Sequence, residues 1–422
     1  MESSSWPKLG DPAPPPAAPG GAGSDDSEDE RGGAAAPWMP PGADAAEESA
    51  AEFGAELEPH FQLPARLKGK SDALISAAND FHYAMINDLP RNEFFRSALQ
   101  AVLDESSHVL EIGTGSGLLA MIAAKQGAAS VTAVEANRHM AEMAQRNIDA
   151  NGLTSKIAIV NKLSTEVEAE DMPQGQPNVL VSEILGTLLL GESALDYVQD
   201  ARERLLAPGG VIIPAAGCQY ATLIESADLE SITEVQGWGG LDLSAVNMLQ
   251  DTVSLVFTKQ YGFRFSSIRH RVMAPRVTVA SIDFYTDSPG CLPAERRVRL
   301  QAAHTGRVHG ILCTWEVFAD RERTLSMSTD PEETRENFPR DMQWGQGLQL
   351  LEDREGAGAG VVPKPFMVTA GEWLELVVFF SSDSVLMQFL LERADGPSAA
   401  EGGDAMKMAP APAAPGAAAS SS

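Results

Sequence analysis

The chain has 422 residues, 44% of them hydrophobic, which is enough for two ordinary domains with large cores. With 31 Lys and Arg against 59 Asp and Glu, its formal net charge of -28 disfavours nucleic acid or an anionic membrane as the main partner and favours a cationic one, although acidity also serves solubility. Cys218, Cys291 and Cys313 are odd in number and lack C-x-x-C spacing, so neither a disulfide framework nor a metal centre is expected.

In chain order, residues 1–60 form an acidic segment rich in Pro, Ala and Gly, in which Lys8 and Arg31 are the only basic side chains; disorder is expected there and again in the tail, 396–422. The start is acidic rather than basic and then apolar, and no apolar run approaches the roughly 20 residues of a membrane span. These features lead us to expect a soluble intracellular protein, cytoplasmic, nuclear or both, with no membrane partner. The first foldable piece is 71–104, where Phe94, Phe95, Leu99, Val102 and Leu103 recur at helical spacing.

A short apolar run from Val109 then reads as a buried strand, broken by Gly113-Thr114-Gly115-Ser116-Gly117 and followed by helical spacing over 118–125. Glycines at alternate positions let the backbone take positive φ and let a ligand reach main-chain N–H groups with no Cβ in the way. Glu135 closes the next apolar run, where an acid can accept from both hydroxyls of a ribose. The spacing is shorter than the G-x-G-x-x-G of dinucleotide binders. Beyond it a helix over 137–150, strands at 157–161 and 179–181, a helix over 194–206 and a strand at 211–213 complete an α/β doubly wound sheet, with the ligand at the carboxyl ends of its strands. After Pro214 the alternation with helices stops. Runs rich in β-branched and aromatic residues at 277–284, 308–318 and 373–380 predict an antiparallel β domain, and residues 227–263 form an excursion of mixed character.

Between the two halves, Glu183 follows a strand at the ligand edge and Glu192 comes nine residues later. On an unbroken helix, steps of about 100° would place these carboxylates on opposite faces. Gly186 and Gly191 permit the segment to turn back, so a hairpin presenting both acids is expected. A Leu-rich core element with two incidental acids is the other reading of these residues alone.

The Gly-rich turn with Glu111 at one end and Glu135 on the next strand resembles the S-adenosylmethionine site of class I methyltransferases. With it upstream, 182–192 resembles the double-glutamate loop of protein arginine methyltransferases. His82 to Asp88 with Arg91-Asn92 resembles that family's N-terminal cofactor-covering helix, Asn161 to Val167 its adenine-side loop, and Asp341-Met342-Gln343-Trp344 stands where its Thr-His-Trp loop belongs. The resemblance covers 71–393 and is closest to the divergent branch of the seventh, type III member. It implies that Arg91 meets the methionine carboxylate, that His82 serves the ribose side, and that Ser164 lies near the base. Glu111, Gly113, Gly115 and Glu135 complete the implied cofactor site. Glu183 and Glu192 would be the catalytic pair, and Asp88, Gln343 and Trp344 would serve the substrate.

The same resemblance implies a methyltransferase domain over 61–213, a β-barrel over 214–395, and a dimerisation arm supplied by 227–263. Implied partners are arginine-rich proteins, histones or RNA-binding proteins among them, and a second copy of the chain. Three departures stand out. Asp72-Ala73 replaces a Tyr-Phe pair, Gln343 replaces the loop histidine expected beside Asp88, and there is room for one catalytic module where that branch commonly has two. A non-catalytic scaffold of this fold, or a methyltransferase acting on something else, is the alternative expectation.

Overall fold

The computed structural model describes residues 80–172, 174–258, 262–356 and 358–397. Residues 1–60 and 398–422 of the ends expected to be disordered, and Asp72-Ala73, lie outside the described residues.

The chain enters through two helices, α1 (Asp80–Asn87) and α2 (Leu89–Val102). What separates them is Asp88, whose carboxylate accepts from the Arg91 N–H at 3.0 Å and caps α2, while Pro90 stands in the first turn, where a missing N–H costs nothing. The single helical piece expected over 71–104 is therefore broken at its cap. α2 buries Phe94, Phe95, Ala98 and Leu99, the face that its spacing marked out.

A five-stranded parallel sheet follows, in the order β3-β2-β1-β4-β5, built from β1 (His108–Ile112), β2 (Ser130–Val134), β3 (Ile157–Val160), β4 (Val179–Ser182) and β5 (Val211–Ile213). Crossovers are α3 (Leu118–Lys125), α4 (Arg138–Ala150) and α5 (Ala194–Arg204). Chain order reverses between β1 and β4, the switch point at which open α/β sheets bind ligands. Both the Gly-rich turn after β1 and the Glu183 segment after β4 leave the sheet there.

From Ala216 onward the strands are antiparallel. Central to this half are β6 (Ala216–Glu225) and β9 (Gly310–Phe318), paired from Ala216 with Phe318 to Ile224 with Gly310. β7 (Val277–Asp283) pairs with β6 on its other edge, and β10 (Gly347–Leu350) with β9. A separate sheet joins β8 (Glu295–Gln301), β11 (Trp373–Phe380) and β12 (Met387–Arg393), and the two sheets share a core of Leu223, Ile311, Leu376, Val378 and Phe389 among others. The barrel expected from sequence is thus a set of antiparallel sheets over one core. Among the described residues no ladder closes on itself.

The excursion contributes α6 (Ala227–Thr233) and a two-stranded ribbon, Gly237–Trp238 against Leu241–Asp242. The last helix, α7 (Phe338–Gln343), packs against α1.

Candidate active site

The Gly-rich turn is shaped by its backbone. Gly113, Gly115 and Gly117 take φ of 72°, 53° and 83°, values that L side chains rarely adopt, and open space lies where a Cβ on Gly115 would stand. Glu135, directly after β2, accepts from Gly115 N–H through Oε2 and from Asn137 N–H through Oε1, each at 2.9 Å. It is half-buried, and each oxygen keeps a lone pair for a further donor.

Glu111 turns the other way. Its Oε2 accepts from Thr114 Oγ1 at 2.6 Å and from Ala120 N–H at 3.0 Å, so it ties the turn to the first turn of α3. Burial pushes its carboxyl up to about 8, against the hydrogen bonds of Thr114 and Ala120 and the charge of Arg91, which act to lower it. The structure thus gives Glu111 a bracing position.

Ser164 stands in a 3-10 turn beyond β3, buried, and its Oγ has no hydrogen-bond partner among the described residues. A buried hydroxyl left without a hydrogen bond costs about 1–3 kcal/mol, which a base edge in the site would offset. His82, on α1, is half-buried.

At the end of β4, Ser182 Oγ donates to Ile112 O at 3.0 Å and locks the strand end to β1. Glu183 comes next. Its Oε2 accepts from Arg91 Nε at 3.0 Å and also from Arg91 Nη2, and the two side chains are each 4% exposed. The guanidinium that sequence reasoning reserved for a cofactor carboxylate therefore rests on the first of the paired acids. Gly113 lies under the same segment: a Cβ there would come within 3.0 Å of Ile184 Cγ2, so the Gly-rich turn and the glutamate loop touch.

The loop turns back as its glycines permit. A Cβ on Gly186 would lie 2.8 Å from Gly191 Cα, so the two backbones are in contact and only glycine fits. Gly191 N–H donates to Leu188 O at 2.9 Å, and Ser193 takes φ 56° before α5 begins. Glu192 is exposed beside this turn.

Four side chains from the antiparallel half or the loop itself hold this hairpin. Trp344 Nε1 donates to Leu185 O at 2.7 Å, Trp315 Nε1 to Gly186 O at 2.9 Å, and Thr187 Oγ1 to Trp344 O at 2.6 Å. Gln219 Oε1 accepts from Leu189 N–H at 2.9 Å. The two indoles meet edge to face with centroids 4.8 Å apart. Trp344, expected to serve the substrate, is buried and positions the loop instead. Trp315 and Gln219 carried no motif that marked them, and Thr187 was marked only by its place in the loop.

Asp88 was also expected at the substrate, beside residue 343. It is fully buried, and its oxygens accept from Arg91 N–H, from Asn337 Nδ2 at 2.8 Å, and from Arg340 through Nε at 2.9 Å and Nη2 at 3.2 Å. The ion pair of this carboxylate is made by Arg340, and its place is a cap and a tie between helices rather than the substrate channel. Gln343 is buried at the end of α7.

These residues fit S-adenosylmethionine. The unpartnered Ser164 hydroxyl, the open cradle at Gly115 and the spare lone pairs of Glu135 offer groups for a base and a ribose. The family model described as ribosomal protein L11 methyltransferase (PrmA) matches residues 96–217. The arginine N(omega)-methyltransferase of Streptomyces achromogenes subsp. streptozoticus is 31% identical over 343 residues, covering 79% of this chain and 88% of that protein. The chain belongs to the arginine N-methyltransferase family. Protein arginine N-methyltransferase 1.6 of Arabidopsis thaliana and protein arginine N-methyltransferase 7 of Oryza sativa subsp. indica are each 30% identical, and the chain spans 37% of their length.

In fold, the chain resembles the Trypanosoma brucei PRMT1 enzyme-prozyme heterotetrameric complex with AdoHcy, with a TM-score of 0.60, 21% identity, and coverage of 76% of this chain and 95% of that one. Arabidopsis thaliana protein arginine methyltransferase 10 matches at a TM-score of 0.57. This chain is accordingly an S-adenosylmethionine-dependent methyltransferase.

Proposed function

We propose that this arginine methyltransferase acts on arginine within proteins, and that Glu183 and Glu192 are the residues that present the guanidinium. S-Adenosylmethionine would supply the electrophilic methyl group, which leaves its sulfonium sulfur as S-adenosylhomocysteine departs. Glu135 and Ser164 would hold the ribose and the base. The observation that carries the reading is the guanidinium of Arg91 on Glu183, donating through two nitrogens inside a loop too tight for any residue but glycine at 186. That carboxylate recognises a guanidinium within its own fold.

The chemistry follows from protonation. A guanidinium keeps its charge at neutral pH, and its lone pairs are delocalised, so attack requires orientation and a way to hold the positive charge away from the attacking nitrogen. Glu183 and Glu192 would supply both, as fixed charges in a partly dry site. The attacking nitrogen gives up its proton to solvent after transfer.

The acidic surface supports a basic partner, such as an arginine-rich segment of a histone or an RNA-binding protein, acting in the cytoplasm or nucleus. The exposed apolar side chains of the excursion, with Trp238 81% exposed beside Leu241, Val246 and Leu249, support its role as a dimerisation arm between two copies. Free arginine is a second reading, favoured by one observation: the relative that this chain covers over 88% of its length is named for arginine alone. Incubation with labelled cofactor and a panel of L-arginine, Arg-Gly-rich peptides and matched lysine peptides, followed by mass spectrometry, tests both. Methyl groups on peptide arginine are expected. Label on L-arginine alone establishes the second reading, and label on lysine or on nothing contradicts the family chemistry.

A further inference from the structure

We propose that Arg340 is a positioning residue for methyl transfer, acting through Asp88 on Arg91 and so on Glu183. The inference rests on the reading of Glu183 as the carboxylate that takes the acceptor.

Arg340 lies on α7, in the antiparallel half, and its guanidinium grips Asp88 with Nε on one oxygen and Nη2 on the other, at 2.9 and 3.2 Å. Their side chains are 5% and 0% exposed. Asp88 Oδ1 also takes the Arg91 N–H at 3.0 Å, and the Arg91 side chain reaches Glu183. Four buried charges therefore alternate in sign from α7 to the glutamate loop. The middle of this series is a helix cap, so the grip on Asp88 fixes where α2 begins and hence where the Arg91 side chain starts.

α1 is held between the same partners, packed on α7 and ending at Asp88, whose other α7-side donor is Asn337 at 2.8 Å. Glutamine at 343 cannot ionise. Arginine three residues earlier on the same helix supplies a permanent charge and a planar fork that matches a carboxylate.

Removing one member of a buried pair leaves the other uncompensated, so single substitutions should be costly and the double substitution less so. The experiment uses the full chain and five variants: Arg340→Lys, Arg340→Met, Asp88→Asn, the double Arg340→Met/Asp88→Asn, and Glu183→Gln. Measured are kcat and KM on an Arg-Gly-rich peptide, S-adenosylhomocysteine affinity by calorimetry, and amide hydrogen exchange of 80–92.

For Arg340→Met we expect kcat to fall about 10- to 100-fold, as a displacement near 1 Å would cause, with peptide KM moving less than about 3-fold. Exchange over 80–92 should accelerate, Arg340→Lys should recover part of both, and the double variant should be no worse than Arg340→Met. Should Arg340→Met not fold, Arg340→Lys against the double variant reads the same coupling. Additive losses, a change confined to KM, or unaltered exchange overturns the proposal. Glu183→Gln separates it from the underlying reading: an active Glu183→Gln defeats that reading while exchange still reports the tie. An inactive Glu183→Gln beside a fully active Arg340→Met defeats the tie alone.

Discussion

Glu111 shows how a single residue in the cofactor turn can write a pH dependence into the whole fold. Its carboxyl is pushed from an ordinary 4.5 to about 8 by burial, so between these values the folded state keeps a proton that the unfolded state has lost. Stability from this group is fully present below about 4.5 and declines as pH rises toward about 8. Glu111→Gln should therefore flatten thermal melts recorded from pH 5 to 9, and parallel profiles for the two proteins would contradict the assignment. Glu135 faces the ligand side. Glu135→Ala removes a charged acceptor worth about 1.5–3 kcal/mol, so S-adenosylhomocysteine affinity by calorimetry should fall roughly 10- to 150-fold; an unchanged affinity would remove the ribose from that position. Both acids were legible in the sequence because each sits within two residues of a feature that sequence shows, a glycine turn or a strand end. Their different duties were not, because inward and outward orientation depends on Thr114, Ala120 and Asn137 arriving in place. Arg340 was invisible for a simpler reason. It lies 252 residues from Asp88, and only the packing of α7 on α1 brings them together.

Among the elements, the glutamate loop is where local rules and tertiary support meet. Its turn was readable from two glycines and an angle: nine helical steps could not bring two acids to one face, so they could converge only if the chain turned back, as its glycines permit. Contact between Gly186 and Gly191 bears that out. The supports were unreadable, since Trp315 and Gln219 look in sequence like ordinary strand residues, Trp344 was read for the substrate instead, and the hydrogen bonds that tie Trp315, Trp344, Gln219 and Thr187 together across the loop span 30 to 159 residues. Gly186→Ala places a Cβ 2.8 Å from Gly191 Cα and must open the hairpin. It should reduce kcat/KM about 100-fold, the scale of an ångström-level misplacement, while leaving S-adenosylhomocysteine affinity within about 3-fold. Equal loss of cofactor binding would show that the loop supports the cradle as a whole. The first helix teaches the converse. Periodicity found its buried face correctly, yet the break at Asp88 went unread, although an Asp two residues before a Pro is itself a start signal.

For the molecule as a whole, alternating α and β followed by β alone announced the architecture, because a parallel strand needs a crossover and an antiparallel one does not. Closure of the second half could not be read, since the same runs of β-branched residues serve a barrel or stacked sheets. Charge and exposed apolar surface make two demands on partners. Binding of basic peptides to a chain of formal charge -28 should weaken as salt rises, through screening over about 10 Å at 0.1 M. If the excursion joins two copies, Trp238→Ser with Leu249→Ser should shift sedimentation from dimer to monomer, and an unmoved boundary would assign that surface elsewhere. The central claim is that the carboxylate at 183 does the work of presenting a guanidinium. Its most direct measurement is single-turnover methyl transfer to an Arg-Gly-rich peptide by Glu183→Gln, with S-adenosylhomocysteine affinity measured on the same sample. Loss of transfer by at least about 100-fold with near-native cofactor affinity is the expected result. Transfer within a few-fold of the parent protein would contradict the account.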